Sequence, residues 1–498
     1  MKTMISKFVR PAIMVMVILV ITLSCQQDDV EVTDSLTKNQ THSGMIKLGK
    51  KLDNPHILNN MRKAYQNLIS SGKVSEEINL EATDLYVRFL PKSHVELESL
   101  QDDTTVIFFD HPLDYEFLEY GTYYHDPTIP DTLPTWQYGV VPVHYKFPNV
   151  HYELLDSAFV PNNYETEEGR VSSFEADFLD QLEEESFVLT GNWEREENAK
   201  NCPDFRPSGY IRVNGRAIQG VEVVATNFLD NKDDLTNASG YYYIDEKFKR
   251  SVKMHVKWQR YEFHVKDGWL SEAQYIDKEE CGNWSVDFDD QSESAFHAHI
   301  FRAAYHYYYK SITIRRPPEN GFWNERMQLR AYYENNDESN GNHNAARRIL
   351  GNWIKIYNPY RTEEAIYSTT IHELNHASLW KHSKETNKED KLRESLARGV
   401  EWVLTREEYP GYLGRERSTG EYTLVVCDLI DGPATTATRI NFGFIDVNAV
   451  DDVSGYTLRQ VEDAIMGETS WNGWRDNLKS KFNNVTEGEV DKLFNAYN

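Results

Sequence analysis

The residues best suited to chemistry are His372, Glu373 and His376, two histidines four positions apart with a glutamate directly after the first. In a helix, side chains at this spacing lie on one face, so both imidazoles can reach one tetrahedral metal ion. The glutamate then points towards the open metal position and can take a proton from water. Zinc brings the pKa of that water close to neutrality. The spacing therefore predicts a Zn2+ site that hydrolyses a polarised carbonyl, with the peptide bond as the expected target.

The alternative is a helix that carries two histidines and no metal. With 16 His in the chain, this motif arises by chance in roughly one of twenty sequences of similar length. The flanking sequence favours the metal, because Ile366, Thr370 and Ile371 fall on one face of the helix expected over 365–380, and the small Ala377 follows the second histidine. We therefore predict a buried helix that binds the metal.

A third ligand could be His382, which follows His372 by ten residues. This is the spacing of the metzincin family, HExxHxxGxxH, in which a glycine lets the chain turn back towards the metal. The corresponding residue here is Leu379. If the helix continues, His382 lies about 15 Å along the axis from His372 and on a different face. It could not then share the ion.

The other candidate is Glu394, eighteen residues after His376, within the segment 391–399. This segment resembles the gluzincin family, in which a second helix supplies a glutamate that is followed by a small residue, an apolar residue and alanine. The resemblance implies that His372, His376 and Glu394 bind Zn2+, with Glu373 as general base and later general acid. The alternative for Glu394 is a solvated helix charge. Glu401, two turns later on a similar face, is a further candidate ligand or outer partner.

The oxyanion that forms during hydrolysis needs a donor besides zinc. Four downstream tyrosines are candidates, and each could equally be a structural aromatic: Tyr409, Tyr412, Tyr422 and Tyr456. Asp428 or Asp431 could orient a ligand histidine. The sequence does not choose among these residues.

Three more histidines, His297, His299 and His306, lie close together before the motif. His299 and His306 are seven apart and could share a helix face, but no neighbouring carboxylate or Cys completes a metal set. We therefore predict a packed helix with polar tips at these positions.

Size and charge limit the class of protein. A chain of 498 residues is too long for one compact core, so roughly two to four domains are expected. Aromatic residues make up 13% of the chain, which is enough ring area to indicate a folded protein. The net charge of −26 repels a phosphate backbone and excludes nucleic acid as an expected partner.

The N-terminus has the pattern of an export signal. Lys2, Lys7 and Arg10 precede an apolar run over 11–23, which ends at Leu23-Ser24-Cys25. This resembles the lipobox of bacterial lipoproteins, and the following Gln-Gln-Asp-Asp resembles the tag of surface lipoproteins of the Bacteroidetes group. The resemblance implies a lipidated Cys25 and a membrane-anchored protein, exposed on the outer membrane. The alternative is an ordinary secretory signal with a chance Cys.

The middle of the chain reads as a run of short strands. A turn at Asn214-Gly215 lies between alternating segments. The pattern resembles the carboxypeptidase regulatory-like domain, a small β-sandwich, at the following positions: Asn214, Gly215, Ile218, 220–223, Thr236, Gly240 and Tyr241. The resemblance implies an accessory module without catalytic residues. Cys202 and Cys281 flank it, so a bridge between them is plausible, although three unpaired thiols including Cys427 are an alternative.

We predict a multidomain α+β fold. A signal peptide occupies 1–24 and a polar tether 25–43. An N-terminal α+β region covers 44–200, the β-sandwich covers 201–283, and a zincin-like α+β catalytic domain covers 284–498.

Several individual elements follow from apolar spacing. The N-terminal region should contain a helix over 45–68, which Asn54-Pro55 could break or restart. Long ordered loops should follow over 110–160. The other elements expected are a strand over 85–90, a helix to about 100, a strand over 104–109, helices over 172–185 and 296–307, and strands over 327–333 and 353–357.

The function expected is a zinc peptidase at the cell envelope, acting on a peptide or protein substrate. An alternative is a surface adhesion lipoprotein whose zincin-like domain binds metal but turns over little. A third hypothesis makes 44–200 a prodomain that covers the cleft.

Overall fold

The structure is a computed structural model. It describes the following residues: 44–74, 79–164, 173–193, 202–269, 271–289, 292–311, 314–315, 326–333, 341–343, 353–357, 362–383, 388–412, 421–431 and 452–497. The predicted signal peptide, the tether and Cys25 lie outside these ranges. Across the described ranges, no helix is both long and apolar enough to cross a membrane.

The protein is a multidomain α+β protein with several separate sheets, as predicted. Its N-terminal elements are β1 (Lys47–Lys51), α1 (Leu58–Ser70), β2 (Asp84–Leu90), α2 (His94–Gln101), β3 (Tyr115–Glu119), β4 (Gln137–Pro142), β5 (His151–Ala158) and α3 (Ser173–Leu189). The strands β4, β2 and β5 form an antiparallel sheet in that order. Helix α1 packs on α3 through an apolar face that includes Met61, Tyr65 and Leu68, whose three- and four-residue spacing defines one side of a helix.

Three predictions for this region are wrong. The helix expected over 45–68 begins only at Leu58, because the residues before Asn54 form β1, which pairs antiparallel with β3. The strand expected over 104–109 is not formed, and Phe109 alone makes a bridge, to Tyr138. The loops expected over 110–160 contain β3, β4 and β5. In each case the pairing of distant strands decides the local structure, which spacing within one segment does not reveal.

The sandwich and the sheet that follows it contain β6 (Ser208–Val213), β7 (Arg216–Ala217), β8 (Glu222–Asn227), β9 (Asp230–Leu235), β10 (Tyr241–Tyr243), β11 (Val252–Lys257), β12 (Phe263–Asp267), β13 (Ser271–Glu272), β14 (Gln274–Glu280) and β15 (Val286–Phe288). One layer has the order β10-β6-β15, with β7 beside β6, and the other has the order β14-β11-β8-β9. Asn214 and Gly215 make the turn between β6 and β7 with φ of 49° and 73°, in the left-handed region that such a turn requires.

A disulfide joins Cys202 to Cys281, with a Cα–Cα distance of 5.7 Å. The bridge that the sequence left open is therefore present. Cys427 is buried in α7, a helix described below, and is not part of this disulfide.

The third large sheet crosses the boundary expected between 283 and 284. It combines β12 and β13 with β16 (Met327–Tyr332), β17 (Gly341–His343) and β18 (Trp353–Tyr357), in the order β13-β12-β16-β18-β17. Strands β12, β16 and β18 are parallel, and the edge strand β17 is antiparallel to β18. Two strands within the predicted sandwich segment thus belong to the sheet of the C-terminal region.

Helices complete the fold, and the first two of them pack on this sheet. They are α4 (Glu293–Tyr305), α5 (Glu363–Ser383), α6 (Asp390–Glu408), α7 (Val425–Ile430), α8 (Leu458–Ile465), α9 (Trp471–Lys481) and α10 (Val490–Ala496). One continuous apolar core runs from the sandwich, through the sheet and α4, to α10. The C-terminal region therefore does not have a core of its own.

Candidate metal centre

Helix α5 places His372, Glu373 and His376 inside the protein. Apolar residues surround the motif, among them Ile371, Leu374 and Ala377, each with no exposed area. Glu363 and Glu364 occupy the first turn and Lys381 and His382 the last, so the end charges complement the helix dipole. No Gly or Pro interrupts the segment. The motif is therefore held on a regular, buried helix.

Three contacts fix α5 against the end of α4 and the chain after it. Asn375 Nδ2 donates a hydrogen bond to Tyr307 Oη at 2.9 Å. Ser378 Oγ donates to the carbonyl of Arg315 at 2.6 Å. Tyr367 Oη lies 2.6 Å from His306 Nδ1. These contacts lie on turns before, within and after the motif, so they limit rotation of the helix about its axis.

Helix α6 brings Glu394 and Glu401 against α5. Leu392, Leu396 and Val400 are buried and form its inner face. Gly399 faces α7, where a Cβ atom would overlap the side chain of Val426. Glycine at this position therefore permits the close approach of α6 and α7. Glu394 is 2% exposed, so it is not the solvated helix charge that was its alternative.

Three ligand atoms converge between α5 and α6. His372 Nε2 and His376 Nε2 lie 3.1 Å apart. Each lies 3.2 Å from Glu394 Oε2. Zinc bonds of about 2.0–2.1 Å at tetrahedral angles separate neighbouring ligand atoms by about 3.3 Å. The three atoms thus form a triangle with the spacing of one face of the tetrahedron of ligand atoms around zinc. The fourth corner is left for water or substrate.

The protonation pattern around the triangle also suits a cation. An ionised carboxylate only accepts hydrogen bonds, so the contact of 3.0 Å between His372 Nδ1 and Glu401 Oε2 places the ring proton on Nδ1. In a neutral ring, Nε2 then directs its lone pair towards Glu394 and His376. A divalent cation at the centre of these atoms would be a common partner for all three.

The electrostatics of Glu394 follow from the same neighbours. Burial alone would raise the pKa of its carboxyl, but His376 and His372 lower that pKa well below its ordinary value. Glu394 is therefore ionised over the whole physiological range, which is the form that binds a metal.

Glu401 is an outer partner and not a member of the triangle. Its Oε2 accepts from His372 Nδ1, and its Oε1 accepts a hydrogen bond from Tyr412 Oη. A carboxylate that holds the far nitrogen of a ligand histidine fixes the tautomer and the ring orientation. The sequence signal for this role is the spacing of Glu394 and Glu401, two turns apart on one helix.

The other candidates occupy different places. Helix α5 continues through His382 to Ser383, so His382 lies about 15 Å along the axis from His372 and outside the triangle. Tyr422 stacks its ring on His372 with centroids 6.3 Å apart. Tyr409 Oη accepts from Arg302. Asp428 Oδ2 accepts a hydrogen bond from Tyr497 Oη at 2.6 Å. That bond does not connect it to a ligand histidine.

Glu373 is 2% exposed and follows His372 on the same helix, about 100° round the axis. His376 is the most exposed member of the centre, with 11% of its side chain accessible. The centre is therefore buried except on the side of His376.

One correction concerns His297. The sequence indicates no carboxylate to complete a metal set with it, but Asp267 and Glu293 each place an oxygen within 4.8 Å of a His297 ring nitrogen. Asp267 comes from a strand 30 residues earlier in the chain. Only the tertiary fold brings it to His297.

A cavity of about 360 Å3 lies between the N-terminal region, the sandwich and β13. Its lining includes Phe108, Lys257, Tyr261 and Glu272, and it does not include His372, His376 or Glu394. The metal-ligand geometry, and not this cavity, marks the candidate site.

Comparison of the chain with protein-family models, with curated proteins and with solved structures finds no match.

Proposed function

We propose that this protein is a zinc-dependent peptidase in which His372, His376 and Glu394 hold the metal and Glu373 is the general base. The observation that carries the proposal is the triangle of ligand atoms, with sides of 3.1, 3.2 and 3.2 Å. Two of its members belong to a buried HExxH helix, which is the motif of zinc hydrolases.

The roles of the residues follow from their positions. Bound Zn2+ would polarise the substrate carbonyl and lower the pKa of a water molecule. Glu373 would accept a proton from that water and donate it to the leaving amine. Glu401 keeps the Nδ1 proton on His372, so that Nε2 remains available as a ligand. Tyr412 donates to Glu401 and holds the carboxylate in place.

The arrangement of the sheet supports a peptide substrate. Strand β17 is the edge of the five-stranded sheet and packs beside α5. An extended peptide can add to such an edge through main-chain hydrogen bonds, which would carry it past the motif helix. The order of three parallel strands, an antiparallel edge strand and two ligand helices is similar to that of gluzincin-type zincins.

The location and the accessory module belong to the same proposal. The basic start, apolar run and Cys25 support export and lipid anchoring at the outer membrane, with the active centre facing outwards. The two-layered segment that follows Cys202 supports an accessory role as a carboxypeptidase regulatory-like module. Peptides or proteins outside the cell are the substrate class that fits this location.

The first test compares metal content and peptide hydrolysis in the purified full chain. Glu373→Gln should retain Zn2+ and lose turnover by roughly 10²–10⁴-fold, because the base is removed but the ligands remain. Glu394→Ala should lose both Zn2+ at this site and turnover. Mass spectrometry of a mixed peptide library detects the products, and elemental analysis gives the metal content.

Two controls sharpen this test. Glu364→Gln makes the same chemical change in the first turn of α5, away from the ligands, and should behave as wild type. His382→Ala should keep both metal and turnover. Loss of the metal in His382→Ala with retention in Glu394→Ala would contradict the ligand set. Full turnover in Glu373→Gln would contradict its role as general base, whereas a wild-type chain that binds Zn2+ without any turnover would favour a binding protein whose metal is structural.

A further inference from the structure

Three residues outside the peptidase centre form a second metal-ligand group. They are Asp267, Glu293 and His297, and one ligand atom of each lies within 4.8 Å of the other two. This group does not depend on the proposed peptidase function, because it shares no residue with the triangle of His372, His376 and Glu394.

The fold brings the three residues together from separate elements. Asp267 is the last residue of β12, where Gly268 turns the chain with φ of 69°. Glu293 and His297 lie one turn apart at the start of α4, so their side chains share a helix face. That face meets the end of β12.

A further oxygen lies close to the two carboxylates. Thr122 Oγ1 is 2.9 Å from Asp267 Oδ2, 3.2 Å from Glu293 Oε2 and 3.1 Å from the carbonyl of Gly44. A hydroxyl has one hydrogen, so it can satisfy only one of these three oxygens at a time. Two carboxylates thus converge on one hydroxyl, an arrangement that a cation would stabilise.

His297 is the independent sign of a ligand. Its side chain has no exposed area, and neither ring nitrogen has a hydrogen-bond partner within the part of the chain that the structure describes. Buried polar groups in proteins are rarely left without a partner.

The backbone is shaped to bring these oxygens close. A Cβ atom on Gly44 would overlap both Thr122 Oγ1 and Glu293 Oε2, and one on Gly121 would overlap the carbonyl of Gly44. Both positions therefore need glycine for the N-terminal segment to reach the carboxylates.

We propose that Asp267, Glu293 and His297 bind a second divalent cation, with Thr122 Oγ1 as a further oxygen ligand. One imidazole with two carboxylates is a donor set for Zn2+ or Mn2+, because imidazole favours the later transition metals and carboxylate also suits Mn2+. The ion is structural. It joins the N-terminal segment at Gly44 and Thr122 to β12 and α4, and α4 in turn supports the motif helix.

The test removes the peptidase centre and asks whether an ion remains. Purified Glu394→Ala chain, stripped with chelator and dialysed against Zn2+ or Mn2+, should retain about one ion per chain, against about two in wild type. Glu394→Ala/Asp267→Asn should retain none. Asp245→Asn combined with Glu394→Ala makes the same change at an exposed surface site and should still bind one ion.

Thermal unfolding gives a readout that is independent of elemental analysis. Addition of the cation should raise the Tm of the Glu394→Ala chain by at least ~4 °C, because binding stabilises only the folded state. The rise should disappear in Glu394→Ala/Asp267→Asn. If that variant does not fold, Glu394→Ala/Glu293→Gln serves the same purpose.

The outcomes separate this proposal from the peptidase. A Glu394→Ala chain that binds no ion, or a Glu394→Ala/Asp267→Asn chain that binds as many ions as Glu394→Ala alone, overturns the second site. A preference for Ca2+ over both Zn2+ and Mn2+ also contradicts it, because the imidazole would then be no ligand. Lack of peptide hydrolysis by a wild-type chain that carries two ions overturns only the peptidase.

Discussion

At the scale of single residues, Glu401 contacts His372, a ligand of the proposed metal centre. Its carboxylate touches the far nitrogen of the ring at 3.0 Å, and Tyr412 holds the other carboxylate oxygen. The ligand atom itself lies on the opposite side of the imidazole. Glu401 is therefore a positioning residue, whose effect should be visible in metal affinity before it is visible in chemistry.

We expect Glu401→Gln to weaken Zn2+ binding by roughly 10–100-fold. The amide is neutral, so it no longer favours the Nδ1-protonated ring, and it can present an NH2 group to Nδ1 instead. Competition with a chromogenic chelator measures the affinity. Turnover per bound Zn2+ should fall less than the affinity does.

Tyr412→Phe is the matched control for this change, because it removes only the donor behind Glu401. Its effect on Zn2+ affinity should have the same direction and a smaller size. Unchanged affinity in Glu401→Gln would show that packing of α5 alone orients His372.

The two candidate ligand groups differ in how far the sequence alone predicts them. His372, His376 and Glu394 sit on two consecutive helices, so helical spacing and a short connection are enough to predict that they meet. Asp267 and His297 are 30 residues apart and on different kinds of element. Their meeting depends on the packing of α4 against β12, which no local pattern encodes.

At the scale of elements, a buried charge network ties α2 to the five-stranded sheet. Glu98 of α2 is 1% exposed and lies 3.2 Å from His264 and 3.7 Å from Lys266, both on β12. Burial alone would raise the pKa of Glu98, but His264, Lys266 and Arg326 lower it to about 2. The network therefore stabilises the contact between the N-terminal region and β12 when Glu98 is charged.

This network makes the stability depend on pH in a defined direction. A carboxyl whose pKa is about 2 when folded and 4.5 otherwise contributes about 3 kcal/mol to the unfolding free energy above pH 4.5. That contribution is lost as the pH falls from 4.5 towards 2. Glu98→Gln should therefore be less stable than wild type by about 3 kcal/mol at pH 7, and the difference should shrink below pH 4.5.

Urea denaturation at several pH values measures this difference. Glu96→Gln, on the same helix but partly exposed, should change the unfolding free energy by less than about 1 kcal/mol. A difference between wild type and Glu98→Gln that stays constant from pH 7 to pH 3 would mean that the network does not set the stability.

Helices and strands are predicted correctly where the sequence pattern that forms them lies within one segment. Helices α4, α5 and α6 have continuous apolar spacing, and the ends of α5 carry favourable charges. Strands β3, β4 and β5 give no such signal, because each becomes regular only by pairing with β1 or β2. The helical spacing of Met45, Leu48 and Leu52 is misleading for the same reason, since the pairing of β1 with β3 decides the local structure.

At the scale of the whole molecule, the sandwich and the C-terminal region share one apolar core, and a disulfide closes a loop that contributes to both. The core runs from the sandwich through the five-stranded sheet to the C-terminal helices. The disulfide between Cys202 and Cys281 spans a sequence separation of 79 residues. The loop that it closes contains the sandwich strands β6 to β11 and also β12 and β13, which belong to the other sheet.

The loop that the disulfide closes contributes strands to the sandwich and to the five-stranded sheet. Removal of the disulfide should therefore destabilise both of them together. A disulfide that closes a long loop reduces the freedom of the unfolded chain, and its loss destabilises by about 2–5 kcal/mol. We expect Cys202→Ser/Cys281→Ser to lower the unfolding free energy by this amount. The shared core predicts that tryptophan fluorescence and release of Zn2+ will shift together in one urea transition.

Wild type with reductant should unfold as the double variant does, whereas reductant should not change the double variant. The buried Cys427 is present in both and therefore does not contribute to the difference. If the sandwich were independent of the sheet, the fluorescence change would occur in two steps, and Zn2+ would be released in only one of them. The position of β12 and β13 argues against two separate transitions. Unfolding of the segment between Cys202 and Cys281 would also remove these two strands from the sheet that packs against α4 and α5.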